Sequence, residues 1–245
     1  MSHAKQFSPE LTVALATVGA ALTLKLAYAR AGADALHWVL APSCWLARLS
    51  GVALSHEGAA GFISHAQRLV VGPACAGINF LVTAWLALYF CVQGRLPSSR
   101  RKLQWSALSV AAAYVATVLV NGLRISLAAR LYQFEGYTAL ITKARAHALL
   151  GVVLYCGALL VSCQLAAAWV GRRTQLTAAR IARRAYAIYL GVVLGLPLLH
   201  GAWLREPQRF VEHALLTAGA GALVVLAFIA LTRIAQRSRA WRART

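Results

Sequence analysis

Acidic residues are nearly absent: six Asp and Glu stand against twenty-five Lys and Arg in 245 residues, a formal net charge of +19. On a soluble surface that imbalance marks a nucleic-acid binder. Here the cations fall in short clusters between apolar runs of about 20 residues, the pattern of a membrane topology, so we expect no nucleic-acid partner. Cysteine is sparse and unpaired in pattern. Cys44, Cys75, Cys91, Cys156 and Cys163 form no CxxC pair, and their odd number excludes a closed disulfide framework within one chain. No metal site or cofactor is called for. The first apolar run has no A-x-A site after it, and only Lys5 is basic in the head before it, so we read it as a retained helix rather than a signal peptide. Internal repeats and low-complexity tracts are missing too, which leaves one membrane domain, 1–245.

What is present is apolar length. Hydrophobic residues make up 60% and charged residues 13%, with a mean hydropathy of +0.64, too apolar for one soluble core. Six stretches are long enough to cross the hydrocarbon: Leu11 to Ala29, Cys75 to Gln93, Leu103 to Leu123, His147 to Val170, Ala185 to Trp203 and Ala214 to Thr232. The fold expected is an all-α polytopic membrane protein. A weaker segment, Ala35 to Leu54, is broken by Pro42, Arg48 and Gly51; a surface or re-entrant amphipathic helix fits it better than a seventh span, which stays open as an alternative. Phe62 to Val71 is β-branched toward its end and runs into Gly72 and Pro73, an extended segment entering a turn.

Orientation follows from the cations. With six spans, one side holds both termini together with Lys5, Arg95, Arg100, Arg101, Lys102, Arg172, Arg173, Arg180, Arg183, Arg184, Arg233, Arg237, Arg239, Arg242 and Arg244, fifteen of the twenty-five basic residues. By the positive-inside rule that side is cytoplasmic. The outer side then receives five of the six acids, Asp34, Glu57, Glu135, Glu206 and Glu212, and every histidine except His3. Lys25 falls within the first span, where a cation must snorkel or pair.

Three chemically capable residues converge on the outer side. Cys75 opens the second span, Arg124 lies where the third emerges, and His147 opens the fourth. A cysteine at a helix start feels the positive end of the dipole, and a neighbouring cation favours its thiolate further. A histidine supplies the acid and base that acyl transfer to sulfur needs. A guanidinium at that depth must be paired, hydrated or aimed at developing negative charge. Asn121, three residues before Arg124, shares its helix face, and Gly151, one turn after His147, permits close approach of a neighbour. The bland alternatives are a packed thiol, an interfacial histidine and a lipid-phosphate anchor. Cys156 and Cys163 read as packing residues, Cys91 lies near the cytoplasmic end, and His200 is an accessory group or merely interfacial. Cys44 is on the outer side and able to pair with Cys75 in an oxidising setting, but the bridge would block the nucleophile, which counts against a permanent one.

Cys75 within PACAGINF, Arg124 within NGLRI and His147 within HALLG resemble the three signature blocks of the exosortase and archaeosortase family. The resemblance covers about Phe62 to Tyr155, and Asn79 and Phe80 look most like its K-type subgroup. Ala76 departs from the small hydroxylated residue that many members carry there. The resemblance implies a cysteine transpeptidase or endopeptidase of the inner (cytoplasmic) membrane that cleaves C-terminal sorting signals of exported proteins, each a short motif, a transmembrane helix and a basic tail. It makes Cys75 the nucleophile, Arg124 the stabiliser of thiolate or oxyanion, and His147 the proton donor and acceptor. Two rivals come from other classes. One is a transporter or metal- or anion-binding membrane protein using Arg124 and the outer histidines. The other is a non-catalytic scaffold associating through small residues such as Gly191 and Gly195.

Overall fold

The computed structural model describes residues 9–139, 141–170, 177–199 and 201–242. His3, Lys5, Arg172, Arg173, His200 and Arg244 lie outside the described residues. In order the elements are α1 (Pro9–Tyr28), α2 (His37–Leu49), β1 (Ser55–His56), β2 (Phe62–Ser64), β3 (Leu69–Val71), α3 (Ile78–Val92), α4 (Ser99–Gln133), α5 (Lys143–Val170), α6 (Ala178–Leu190), a π turn Gly191–Gly195, α7 (Leu196–Leu199), α8 (Ala202–Arg205) and α9 (Pro207–Arg242). Six helical stretches among the described residues are long and apolar enough to span a bilayer. The chain is an all-α, multi-pass membrane protein.

Its axis is α3. Apolar on every side, this helix has no face for water and sits inside the bundle, with all but Asn79 and Phe90 of its fifteen residues buried. Helices α1, α4, α5 and α6 pack around it, and α9 closes over α5 and α6. Polar cross-links hold the helices where greasy surface alone would let them slide. Trp105 Nε1–H donates to Leu88 O at 3.0 Å, and the Thr17 and Ser106 hydroxyls meet at 2.9 Å. Buried Lys102 is paired with Glu10 at 2.7 Å.

The helix boundaries differ from the hydropathy reading, because apolar runs mark the hydrocarbon while helices continue past it. Helix α4 runs 35 residues from Ser99 and is N-capped by Ser98, whose hydroxyl accepts the Arg101 N–H. Arg124 therefore lies inside α4, nine residues before the helix ends. His147 is the fifth residue of α5, not its first. Trp203, expected in the fifth span, lies beyond the π turn in α8.

Helix α2 settles the ambiguous segment. Its 13 residues extend about 20 Å, short of the roughly 30 Å hydrocarbon. It lies lengthwise on α4: Trp38 stacks on Tyr114 at 5.6 Å, and Ser50 Oγ–H donates to Ser126 Oγ at 2.6 Å. Gly122 makes this possible, since a Cβ there would stand 2.8 Å from Leu46 Cβ. Pro42 is accommodated inside α2. The extended segment is also present, as the central and one edge strand, β2 and β3, of an antiparallel meander β1–β2–β3, with Ile63 opposite Val70 and Phe62 opposite Val71. Strand β3 delivers the chain to the Gly72–Pro73 turn.

Candidate active site

Cys75 closes a separate one-turn 3₁₀ segment, Pro73–Cys75, ahead of α3. Gly77, at φ 73°, is the N-cap that separates the two, so Cys75 stands outside the first turn of the helix whose dipole was expected to act on it. Gly77 is required twice over. Its φ is left-handed, and a Cβ would meet Thr117 Cγ2 at 3.2 Å and Asn121 Cγ at 3.4 Å. Gly77→Ala is expected to cost about 1–3 kcal/mol of stability and to dislodge Asn121; thermal unfolding of the detergent-purified chain checks it.

The turn is pinned from both sides. Tyr28 at the end of α1 donates its hydroxyl to Pro73 O at 3.0 Å, and Asn121 Nδ2–H donates to Cys75 O at 2.7 Å. The Asn121 Oδ1 in turn accepts the Tyr155 hydroxyl at 3.0 Å. Tyr155 stacks on Phe80 with ring centres 4.8 Å apart and accepts a longer bond from Arg124 Nη1–H at 3.4 Å. Lys25 is paired within the bundle, its ammonium donating to Asn79 Oδ1.

Arg124 and His147 are in direct contact, Nη2 to Nε2 at 2.7 Å. Arginine has only donors, so His147 Nε2 accepts, and the proton of the neutral ring is assigned to Nδ1. That Nδ1–H and the Arg124 Nε–H are both buried and have no hydrogen-bond partner among the described residues. Gly151 gives the guanidinium its room: a Cβ there would stand 3.4 Å from Arg124 Nε. The neighbour that approaches Gly151 is thus a side chain rather than a helix backbone.

A cavity of about 370 Å³ opens beside this pair, with Ala74, Gly77, Arg124, His147 and Tyr155 in its wall. Cys75 itself is half-buried and carries a free thiol. Among the described residues no hydrogen bond joins that thiol to Arg124 or His147; its tie to the network runs through its carbonyl. Cys44, Cys91, Cys156 and Cys163 are also free, and each is 0–2% exposed. A larger hollow of about 760 Å³, lined by Glu10, Lys102 and Arg184, holds none of these residues.

Three contributors escaped the sequence reading. Tyr155 has a signal, since His147, Gly151 and Tyr155 recur every four residues and share a helix face. Tyr28 and Gly77 have none beyond proximity to a span end or to the cysteine. Among the described residues no three His, Cys, Asp or Glu side chains converge; Glu57 meets His65 at 2.7 Å, Glu212 meets Arg145 at 2.7 Å, and Glu206 meets Arg209 at 2.9 Å. Gly191 and Gly195 fall in the π turn, and among the described residues nothing within this chain lies within 4 Å of a Cβ added at either.

Comparison with known proteins matches residues 4–164 to the family model of the transmembrane exosortase, Exosortase_EpsH. No curated protein and no solved structure shows a significant match. The matched stretch covers about two thirds of the chain and contains α1 to α4, the cysteine turn and most of α5. A multi-pass bundle built around those elements belongs to the transmembrane exosortase family, membrane-embedded enzymes that process exported proteins bearing C-terminal sorting signals.

Proposed function

We propose that the chain is a cysteine transpeptidase or endopeptidase that cleaves its substrate just outside the inner membrane through a thioester on Cys75, with both termini cytoplasmic. The whole chain acts as one membrane domain, its chemistry concentrated between about residues 62 and 155. The observation that carries this reading is the Arg124–His147 pair beside the cysteine turn, with two buried, unpartnered N–H groups. Buried donors without acceptors are costly, and a peptide carbonyl or the oxyanion formed from it is the acceptor that relieves them.

The sequence of events follows from the donor pattern. While Arg124 donates to His147 Nε2, that nitrogen is no base. A carbonyl oxygen entering the cavity draws the guanidinium away, freeing Nε2 to take the Cys75 thiol proton. The thiolate adds to the carbonyl carbon, and Arg124 faces the oxyanion. The imidazolium then protonates the departing amine as the C–N bond breaks, leaving the thioester. Water or an acceptor amine attacks this next, its proton passing to His147, and Cys75 departs as thiolate. Asn121 and Tyr155 are positioning residues, one for the cysteine turn and the other for the guanidinium.

Thiol labelling tests both nucleophile and sidedness, because burial leaves one cysteine open. A membrane-impermeant maleimide applied to the outside of intact spheroplasts is expected to modify Cys75 alone, at about one equivalent per chain, and to end processing. Labelling only in inverted vesicles would reverse the topology. Full processing by the labelled enzyme would remove the thioester.

A further inference from the structure

The far wall of the active-site cavity comes from outside the family-matched stretch. It includes Tyr189 on α6, Val193 in the π turn, Pro197 on α7, and His213 and Thr217 on α9. His213 and Thr217 are four residues apart and share a helix face, His213 exposed at the cavity's edge and Thr217 one turn further along, 0% exposed.

Thr217 is anomalous within this bundle. Thr17, Thr23, Ser43, Thr83, Thr117 and Ser126 each satisfy their hydroxyl on the carbonyl one turn back, the usual recourse of a hydroxyl in an apolar helix. Thr217 does not, and its Oγ1 is buried without a partner. Ser109 is the other buried Ser or Thr hydroxyl so placed among the described residues, and it does not line this cavity. An unpaired buried hydroxyl in the wall of a cavity is a binding group waiting for its partner. Arg124 and His147, each with a buried N–H that finds no acceptor among the described residues, line the same cavity, and among the described residues no Asp or Glu lines it. The partner that fits is an oxygen acceptor.

We propose that Thr217 and His213 form a specificity subsite for a substrate side chain bearing a hydrogen-bond-accepting oxygen, adjacent to the scissile peptide bond. This rests on the cysteine-transpeptidase reading and deepens it. Thr217 donates its hydroxyl to the oxygen and His213 borders the entrance, so the α6–α9 half of the bundle selects the substrate that the α3–α5 half cleaves.

The test co-expresses the full chain with a secreted reporter library: eight randomised residues, then an apolar helix, then an arginine-rich tail, with processed products read by sequencing. Wild type is expected to enrich Asp, Glu, Asn, Gln, Ser or Thr at one position. Thr217→Val, nearly isosteric, is expected to lower the ratio of polar to apolar residues processed at that position about tenfold, the scale of one hydrogen bond. Thr217→Ser is expected to restore the ratio, which a packing role would not require, and His213→Leu to lower it. No polar enrichment in wild type, or an unchanged ratio in both Thr217→Val and His213→Leu, overturns the subsite while Cys75-dependent cleavage stands. Processing that survives Cys75→Ala overturns the underlying reading instead.

Discussion

Cys75→Ala is expected to reduce processing of a cognate sorting signal by about a thousandfold or more while leaving the bundle folded. The separation of the two effects follows from how the residue is held. What fixes the turn is backbone: the Cys75 N–H bonds Gly72 O at 2.9 Å, and its carbonyl accepts from Asn121. Both survive truncation, and the half-buried thiol leaves little cavity behind. Cys75→Ser should fare almost as badly, since an alkoxide is far harder to form than a thiolate at neutral pH. Accumulation of unprocessed substrate on immunoblots, with enzyme levels and thermal unfolding matched to wild type, is the measurement. Normal processing by Cys75→Ala would sink the thioester route and leave the family membership untouched.

Arg124→Lys should cost about 10²- to 10³-fold in rate, the scale of losing an oxyanion donor. The side chain makes two separate engagements, Nη2 to His147 and Nη1 to Tyr155, and its Nε–H is buried without a partner among the described residues. A planar fork reaches these directions together; an ammonium on a flexible stem concentrates its charge at one point and lacks the Nε position. It would also retain positive charge, so a merely electrostatic role predicts near-normal rates for the lysine variant. Single-turnover processing in membrane vesicles distinguishes them. Wild-type rates in Arg124→Lys would reduce Arg124 to an anchor.

The meeting of Arg124 and His147 was legible because membrane topology compresses a three-dimensional question into one dimension. Hydropathy and charge clusters divide the chain into spans, and a span end has a side. Arg124 and His147, 23 residues apart, could be assigned to one side before any packing was known, and they are in contact. Asn121 and Gly151 were legible from helical periodicity, which likewise needs no tertiary information. The same reasoning erred where a hydrophobic run was equated with a helix. Arg124 is enclosed within a 35-residue helix, and Cys75 is held in its own turn, because backbone hydrogen bonding continues past the hydrocarbon boundary and glycine interrupts it within.

Sequence by itself determined the class, the six spans, the extended entry to Cys75 and the residues able to do acyl-transfer chemistry, since each depends on composition or on neighbours along the chain. Tertiary structure alone decided how they engage. Which His147 nitrogen carries the proton depends on a guanidinium brought by another helix, and the tie between Asn121 and Cys75 crosses 46 residues of sequence. The cavity wall supplied by His213 and Thr217 was likewise unreadable, because a hydroxyl's lack of a partner is a property of three-dimensional surroundings that no local pattern encodes.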